Sequence, residues 1–260
     1  MITGIDHVVI GVRDLSAGVA TYETLLNRTA GVAQTHHGVA SALISTSNVA
    51  VELIAADGPG EGAERVRAAL ADGEGLKSLA FAVRDLERAH VRCERVGLAP
   101  EPIREREAWR SFRANTGRTH GVRVFLIERR RPLAVSPGAG LDHVVIRTPH
   151  PERAAGLYGA RLGLDMRLDR EVTGRRLMFF RCGDAIVEIV HDRETTGAAD
   201  SLWGLSWRVV DADAERARLS AAGLEVSDVR PGMKPGTRVF TVRNGTCGVP
   251  TLMIEPPERD

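Results

Sequence analysis

Aromatic residues make up only 4% of this 260-residue chain, and the formal net charge is only +1. A nucleic-acid-binding protein usually has a basic face and aromatic side chains on which bases stack, so this composition argues against a nucleic-acid partner. No apolar run approaches the roughly 20 residues that a helix needs to cross a bilayer, so no membrane partner is expected either.

Cysteine is scarce, because the chain has only three, scattered as Cys93, Cys182 and Cys247. An odd number of distant cysteines argues against a disulfide framework and indicates a reducing compartment. The N-terminal residues lack the charged segment and apolar core of a signal peptide. With 43% hydrophobic and 27% charged residues, the composition is that of a globular protein, and we expect a soluble, cytoplasmic one.

One phrase occurs twice in the chain. GIDHVVIGVRDL at Gly4–Leu15 returns as GLDHVVIRTPHP at Gly140–Pro151. The two histidines, His7 and His143, are 136 positions apart. A glutamate in an apolar stretch follows each phrase, and Glu52 and Glu188 are also 136 positions apart. An internal repeat that keeps one imidazole and one carboxylate in step predicts two related halves.

Each half is itself a doubled unit. Gly75–Leu98 aligns with the opening phrase through VRDL, and Gly204–Leu224 has a similar helix with the same ending. Every quarter shows a strand pattern, then a helical pattern, then further short strands. Proline at a helix start and glycine just past a helix end mark the helices, as at Pro151, Gly97, Gly163 and Gly223. The sequence therefore predicts four βαβββ modules.

A boundary is indicated near the middle of the chain. The segment Glu128–Gly140 is a charge cluster followed by Pro, Ser and Gly residues, which is typical of a turn and a short linker. We expect two domains, residues 1–132 with modules one and two, and residues 138–260 with modules three and four.

Four such modules, with DHVVI on the first strand and Glu on the last, resemble the vicinal oxygen chelate superfamily. Its members include glyoxalase I, bleomycin and fosfomycin resistance proteins, methylmalonyl-CoA epimerase and extradiol dioxygenases. The resemblance covers essentially the whole chain and is closest to the glyoxalase-like branch. It implies an α+β fold in which pairs of modules form two open, barrel-like cups, each around a metal.

The resemblance places metal ligands at the centres of the first and last strands of a module. In modules one and three these positions carry His7, Glu52, His143 and Glu188. In modules two and four they carry Ser78, Phe125, Gly204 and Leu252, which are not ligands. Glu128 and Glu255 lie three residues further along, and an odd shift in a strand turns a side chain to the other face.

Two arrangements of the ligands remain open. If module one pairs with two and module three with four, each cup offers one His and one Glu, whereas a tight site usually has three or four protein ligands. If modules one and three share a site, within the chain or across a homodimer, they supply the two-His, two-Glu set of glyoxalase I. Alternatively, a half-buried Glu carboxylate can be stabilised by a hydrogen bond from a neighbouring His, without any metal.

Three functions follow from these alternatives. The first is a metal-dependent lyase or isomerase, in which a divalent ion (Zn, Ni, Mn, Fe or Co) chelates two adjacent oxygens of a small substrate and Glu52 or Glu188 removes a proton. The second is an extradiol-type dioxygenase, which requires two His and one carboxylate as ligands of Fe(II). The third is a non-catalytic protein that binds or sequesters a small molecule.

Three further residues are weaker candidates for substrate contacts. Trp109 and Arg110, in EAWRSF, offer an apolar wall and a fork for anions. His120, in NTGRTHGVRV, directly precedes the last strand of module two. The chain has no paired Cys motif, and we expect Cys93 on the core face of a helix.

Overall fold

The structure, a computed structural model, describes residues 1–192 and 194–257. It is an α+β protein in which the predicted βαβββ unit occurs four times. The strands of the first two modules are β1 Ile2–Gly11, β2 Gln34–His36, β3 Val39–Ser45, β4 Ala50–Ala56, β5 Gly75–Val83, β6 Arg104–Glu105, β7 Trp109–Arg113 and β8 Val124–Arg129. Those of the last two are β9 Gly140–Arg147, β10 Asp165–Val172, β11 Arg175–Cys182, β12 Ala185–Asp192, β13 Ser201–Arg208, β14 Arg230–Pro231, β15 Arg238–Val242 and β16 Thr251–Glu255.

The helices are α1 Leu15–Leu26, α2 Glu61–Ala69, α3 Leu86–Arg95, α4 Pro151–Ala155 and α5 Ala212–Ala221. A π-helical segment, Gly156–Arg161, continues α4. Helix α2 follows module one and was not predicted. No helix in the described parts of the chain is both long and apolar enough to span a bilayer.

Aspartates begin three of the module helices. The side chains of Asp14, Asp85 and Asp211 accept backbone N–H groups in the first turns of α1, α3 and α5 at 2.8–3.0 Å. Such caps satisfy donors that a helix leaves without internal partners. Helix α4 begins instead with Pro151 at its first turn, as predicted.

The predicted glycines end the helices. Gly97, Gly163 and Gly223 have φ values of +71°, +77° and +86°, a left-handed conformation that costs glycine little. Asn27 takes this conformation after α1, with φ +52°. The sequence therefore determines both ends of most of the helices.

The strands form two eight-stranded sheets. One has the order β2-β3-β4-β1-β5-β8-β7-β6, and the other repeats it as β10-β11-β12-β9-β13-β16-β15-β14. In each sheet the first strands of two modules are central neighbours, and the last strand of each module lies beside its own first strand. The predicted ligand positions thus fall on the inner strands of both sheets.

Contacts between residues divide the chain into two compact units that do not follow the sheets. One unit comprises Met1–Val8, Ser78–Leu133 and His143–Trp203, and the other comprises Val9–Lys77, Ala134–Asp142 and the chain from Gly204 onward. The domain ranges 1–132 and 138–260 therefore stay a proposal, supported by the membership of the strands in the two sheets.

The core residues on β11 and β12 show which face of the second sheet the helices cover. Phe180, Val187 and Ile189 have no exposed surface, and the ring of Tyr158, in the π-helical segment, lies 6.3 Å from that of Phe180. Residues that alternate with these in the strands point to the opposite face.

The free cysteine Cys93 is fully buried on α3, as expected, and burial raises the pKa of its thiol to about 11.

Candidate functional site

The first DH phrase forms a chain of three polar side chains. Nε and Nη2 of Arg129 donate to the two carboxylate oxygens of Asp6 at 2.8 and 2.7 Å. Oδ1 of Asp6 also lies 2.6 Å from Nδ1 of His7. A carboxylate that holds Nδ1 of a histidine orients the ring, and this is the usual arrangement around a metal-binding histidine.

Asp6 is strongly buried, with 7% of its surface exposed. Burial raises the pKa of its carboxyl group, but the hydrogen bonds from His7 and Arg129 and the charges of these groups outweigh it, so the pKa lies below its ordinary value. Asp6 is therefore held as an ion. This partner of the histidine was missed in the sequence, although the Asp occurs in both copies of the phrase.

The second copy of the phrase repeats part of this pattern. Oδ1 of Asp142 accepts a hydrogen bond from Nε of Arg208 at 2.7 Å. Arg208 lies at the end of β13, whereas Arg129 lies at the end of β8. Equivalent aspartates of the two halves, Asp6 and Asp142, are thus paired with arginines from non-equivalent strands. The sequence repeat did not predict this difference.

His143 and Glu188 lie on the same face of two neighbouring parallel strands. In the β12–β9 pairing Ile186 lies beside His143, and Glu188 lies beside Val145. Paired residues share a face, and residues two apart along a strand share it too, so both side chains belong to one face. This is the face opposite to the one that the helices cover.

Phe179 is a third member of this face. It lies directly opposite Glu188 in the β11–β12 pairing, and its ring meets that of His143 edge to face, with 5.9 Å between centroids. Because β12 lies between β9 and β11, the two rings approach each other across the strand that carries Glu188. The carboxylate therefore lies in partly apolar surroundings, which strengthen its interactions with cations and protons.

The first half has the same strand register. Val12 N donates to Ile54 O at 2.9 Å, and the equivalent Thr148 N donates to Val190 O at 2.9 Å. Glu52 on β4 lies opposite Leu43, the equivalent of Phe179. His7 and His143 thus lie on equivalent first strands, and Glu52 and Glu188 lie on equivalent last strands.

Modules two and four supply no ligand at the corresponding positions. Ser78 is buried, and Phe125 lies on β8. A Cβ atom on Gly204 would lie 2.7 Å from Pro250 O, so the backbone leaves no room for a side chain there. Leu252 faces Thr241 on β15. At Gly204, therefore, the packing itself excludes a ligand side chain.

Glu128 on β8 and Glu255 on β16 each accept a backbone N–H at the start of a helix, which supports the prediction that they are not ligands. Oε2 of Glu128 accepts the backbone N–H of Leu86, the first residue of α3, at 3.0 Å. Oε2 of Glu255 accepts that of Ala212, the first residue of α5, at 2.7 Å. A carboxylate at a helix N-terminus is stabilised by the unpaired N–H groups there.

The weaker substrate candidates do not come together with His143. Arg110 donates to Glu87 at 2.5 Å and to Glu128 at 2.7 Å, which anchors β7 to α3. Trp109 is half-buried and lies opposite Arg129 on β8. A substrate-binding role for Trp109 and Arg110 stays a prediction.

His120 lies in a turn with φ +57°, and its carbonyl accepts the N–H of Asp200 at 2.7 Å. Burial lowers the pKa of its imidazole, and the charge of Arg153 lowers it further. The ring is therefore neutral near pH 7, and its role in substrate binding also stays a proposal.

The donors on the described face of β9 and β12 fit a loosely held divalent ion. One imidazole and one carboxylate are ligand types that Zn, Ni, Mn, Fe and Co accept. No group of three or more His, Cys, Asp or Glu side chains suited to a metal occurs within residues 1–192 and 194–257. A metal held here would complete its coordination with water and with oxygens of the substrate.

A model of the glyoxalase-like domain family matches residues 5–163, more than half of the chain. The chain belongs to this family. A second model, of the glyoxalase/bleomycin resistance protein/dioxygenase superfamily, matches residues 140–249. The predicted vicinal oxygen chelate resemblance is thereby confirmed. No curated protein matches the sequence.

Solved structures share the fold of this glyoxalase-like protein at low sequence identity. A mutant 4-hydroxymandelate synthase from Streptomyces coelicolor is 14% identical with a TM-score of 0.79, over 100% of this chain and 95% of that one. A Mn(II)-bound glyoxalase from Novosphingobium aromaticivorans is 17% identical with a TM-score of 0.70, over 99% and 83%. A xylose isomerase-like TIM barrel/4-hydroxyphenylpyruvate dioxygenase fusion protein is 16% identical with a TM-score of 0.72, over 100% and 50%. These similarities confirm the predicted α+β fold.

Proposed function

We propose that this glyoxalase-like protein is a metal-dependent lyase or isomerase that acts on a small oxygenated substrate. The observation that carries the proposal is the common face of His143 and Glu188 on neighbouring parallel strands. One neutral donor and one anionic donor are a suitable pair for a divalent cation. On a partly apolar face, a carboxylate without a cationic partner is energetically unfavourable. Zn, Ni, Mn, Fe and Co all accept this pair of donors.

The roles of the two residues follow from their chemistry. His143 would hold the ion, because a neutral imidazole is the commonest metal ligand among side chains. Glu188 would hold it more loosely and would serve as the base that takes a proton from the carbon next to a substrate carbonyl. When bound, the ion would polarise two adjacent substrate oxygens as a Lewis acid. His7 and Glu52, the equivalent residues of the first half, keep the same predicted roles.

Deuterium exchange tests this function directly. The protein is loaded in turn with each of the five metals and mixed in D2O with α-hydroxy ketones and α-keto acids, and loss of the C–H signal next to the carbonyl is followed by NMR. We expect metal-dependent exchange that falls at least about 100-fold in Glu188→Gln, as for loss of a general base. Glu171→Gln, which changes an exposed carboxylate of β10, is the matched control. Equal exchange in wild type and Glu188→Gln would overturn the proposal.

A binding protein is the second candidate, and a specific observation favours it. The described chain offers two metal donors on the face of β9 and β12, one fewer than the three of usual catalytic zinc sites. In that case the face would bind its ligand without transforming it. Tight binding of a small molecule without exchange under any metal would select this function.

An extradiol-type dioxygenase requires a second histidine on the same face. The equivalent first-strand positions hold Ser78 and Gly204. Oxygen uptake with catechols in the presence of Fe(II) would distinguish this activity from the proposed one.

The proposed location is the cytoplasm. Cys93, Cys182 and Cys247 are all free thiols, which suits a reducing compartment.

A further inference from the structure

Two arginines share the face that carries His143 and Glu188. Arg170 on β10 lies opposite Leu177 on β11, Leu177 lies opposite Val190 on β12, and Val190 lies beside Arg147 on β9. The four residues form one row across four strands, and paired residues share a face. The row lies two residues along β12 from Glu188, so the arginines border the candidate site.

The floor between the two arginines is apolar. Val145, Leu177 and Val190 are 5–8% exposed, and Val172 and Phe179 pack against them. Arginine covers such surface with its aliphatic stem and keeps its charged end at the polar boundary. The face thus combines an apolar floor with guanidinium groups at one end.

The guanidinium of Arg147 is positioned by an aromatic ring. Its Cζ lies 4.2 Å from the centroid of Trp203, which is within the range of a cation–π contact. Such stacking fixes the plane of a guanidinium and leaves its edge for an anion. Trp203 is 39% exposed, so the stacked pair is open to solvent on one side.

The Nε atoms of Arg147 and Arg170 are buried and have no hydrogen-bond partner within the described residues. Leaving a buried donor unsatisfied is costly, and for a cationic donor a carboxylate is a strong partner. Two such donors at one end of a face therefore indicate an anion-binding position, where a bound anion would accept their hydrogen bonds.

The charge balance at this end favours an anion as well. Two carboxylates of β12 flank the row, each two residues from Val190: Glu188, and Asp192, which accepts a hydrogen bond from Thr195 at 2.7 Å and lies 3.9 Å from Arg175. Three arginines against these two carboxylates leave this end of the face positive.

The spacing sets the length of a molecule that would reach both ends. Arg147 is four residues from His143 along β9, about 13 Å at the rise of a strand, and the row of Arg147 is two residues from that of Glu188, about 7 Å. A molecule of roughly phenylpropanoid length spans this range.

The first half of the chain lacks this cationic end. The residues equivalent to Arg147 and Arg170 are Gly11 and Gln34, and Gln34 lies opposite Ser41 where Arg170 lies opposite Leu177. The two halves have therefore diverged on this face.

We propose that the face of β9–β12 binds a small organic carboxylate, whose anionic group is held at the row of Arg147 and Arg170 and whose apolar body covers Val145 and Phe179 in the next row. The oxygenated end of the molecule then points along β12 towards Glu188 and His143. This inference rests on the proposed function for the position of the reacting end, but the anion position stands on the arginines alone.

A pair of probes of equal shape tests the proposal. 3-Phenylpropanoate carries the carboxylate, and 3-phenylpropanamide replaces it with a neutral amide; binding of both to chelator-treated protein is measured by calorimetry. We expect the carboxylate to bind at least about 10-fold more tightly than the amide, since charge-assisted hydrogen bonds are the stronger ones. This preference should disappear in Arg147→Met and Arg170→Met, which keep an aliphatic side chain over the floor.

Two controls keep the outcome unambiguous. Arg65→Gln, which changes an exposed arginine of α2 paired with Glu61, should retain the preference, and Trp203→Leu should reduce it about threefold by loosening Arg147. If a methionine variant does not fold, Trp203→Leu and added chloride, which competes for guanidinium groups, decide instead. Equal affinity of wild type for the two probes, or an unchanged preference in folded Arg147→Met and Arg170→Met or in Trp203→Leu, overturns the inference. Because the assay uses metal-free protein, its result is independent of whether the proposed metal binds.

Discussion

Arg129 donates two hydrogen bonds to Asp6, from Nε at 2.8 Å and from Nη2 at 2.7 Å, across 123 residues of sequence. Asp6 in turn lies 2.6 Å from Nδ1 of His7. The DH phrase therefore works as a unit, in which the aspartate sets the orientation of the histidine and the arginine neutralises the aspartate. This explains the buried acid before His7; Asp142, which precedes His143, is half-buried and accepts a hydrogen bond from Arg208 instead.

Removing Arg129 should destabilise the protein. Arg129→Gln leaves the Asp6 carboxylate buried with one fewer charged partner, and breaking a buried ion pair typically costs about 3 kcal/mol. We expect a loss of this size in the free energy of unfolding from urea denaturation. Arg65→Gln, in a solvent-exposed pair, should change it by less than about 1 kcal/mol. Equal stability of Arg129→Gln and wild type would contradict the buried role of the pair.

Glu128 should contribute to stability and not to metal binding. Glu128→Ala removes the acceptor of the Leu86 N–H at the start of α3, and loss of a helix cap costs about 1 kcal/mol. We expect thermal unfolding at a lower temperature with an unchanged metal content. Glu94→Ala, at an exposed position of the same helix, should leave both unchanged. A fall in metal content in Glu128→Ala would return this residue to the candidate ligands.

His120 should lower the stability of the protein as the pH falls below neutral. Burial, followed by the charge of Arg153, lowers the pKa of its imidazole from the ordinary 6.5. As the pH falls below 6.5, the unfolded chain takes up a proton that the folded protein resists, so the free energy of unfolding decreases. His120→Asn keeps a residue that tolerates the left-handed backbone and lacks the titrating group. The decline between pH 7.5 and 5.5 in urea titrations should be smaller in this variant. An equal decline would exclude His120 as its source.

Much of the fold follows from local signals in the sequence. The helix ends could be predicted because Gly97, Gly163 and Gly223 mark a conformation that other residues adopt at a cost. The exclusion of Glu128 and Glu255 was possible because the side-chain period of a strand is two. Helix α2 was missed because its short segment, Glu61–Ala69, has no counterpart in the other modules, so the repeat gave no indication of it.

The partners across the sheets could not be predicted from the sequence. Arg129 and Arg208 both bind the aspartate of a DH phrase, yet they lie at the ends of different strands within their modules. Arg147 and Arg170 are 23 positions apart in the sequence and fall into one row only through the pairings of three strand neighbours. Such contacts depend on register and strand order, which the pattern of single strands does not contain.

Metal content measured in matched variants tests the central claim most directly. Wild type, His143→Ala, Glu188→Gln and the control His150→Ala, which changes an exposed residue at the start of α4, are treated with chelator, reloaded with Zn, Ni, Mn, Fe(II) or Co, dialysed and examined by elemental analysis. We predict a stoichiometric amount of at least one of these metals in wild type and His150→Ala, and an affinity at least about 10-fold lower in His143→Ala and Glu188→Gln, as for the loss of a group at a metal site. A wild-type protein that retains none of the five metals, or a His143→Ala variant that retains as much as wild type, would contradict the account.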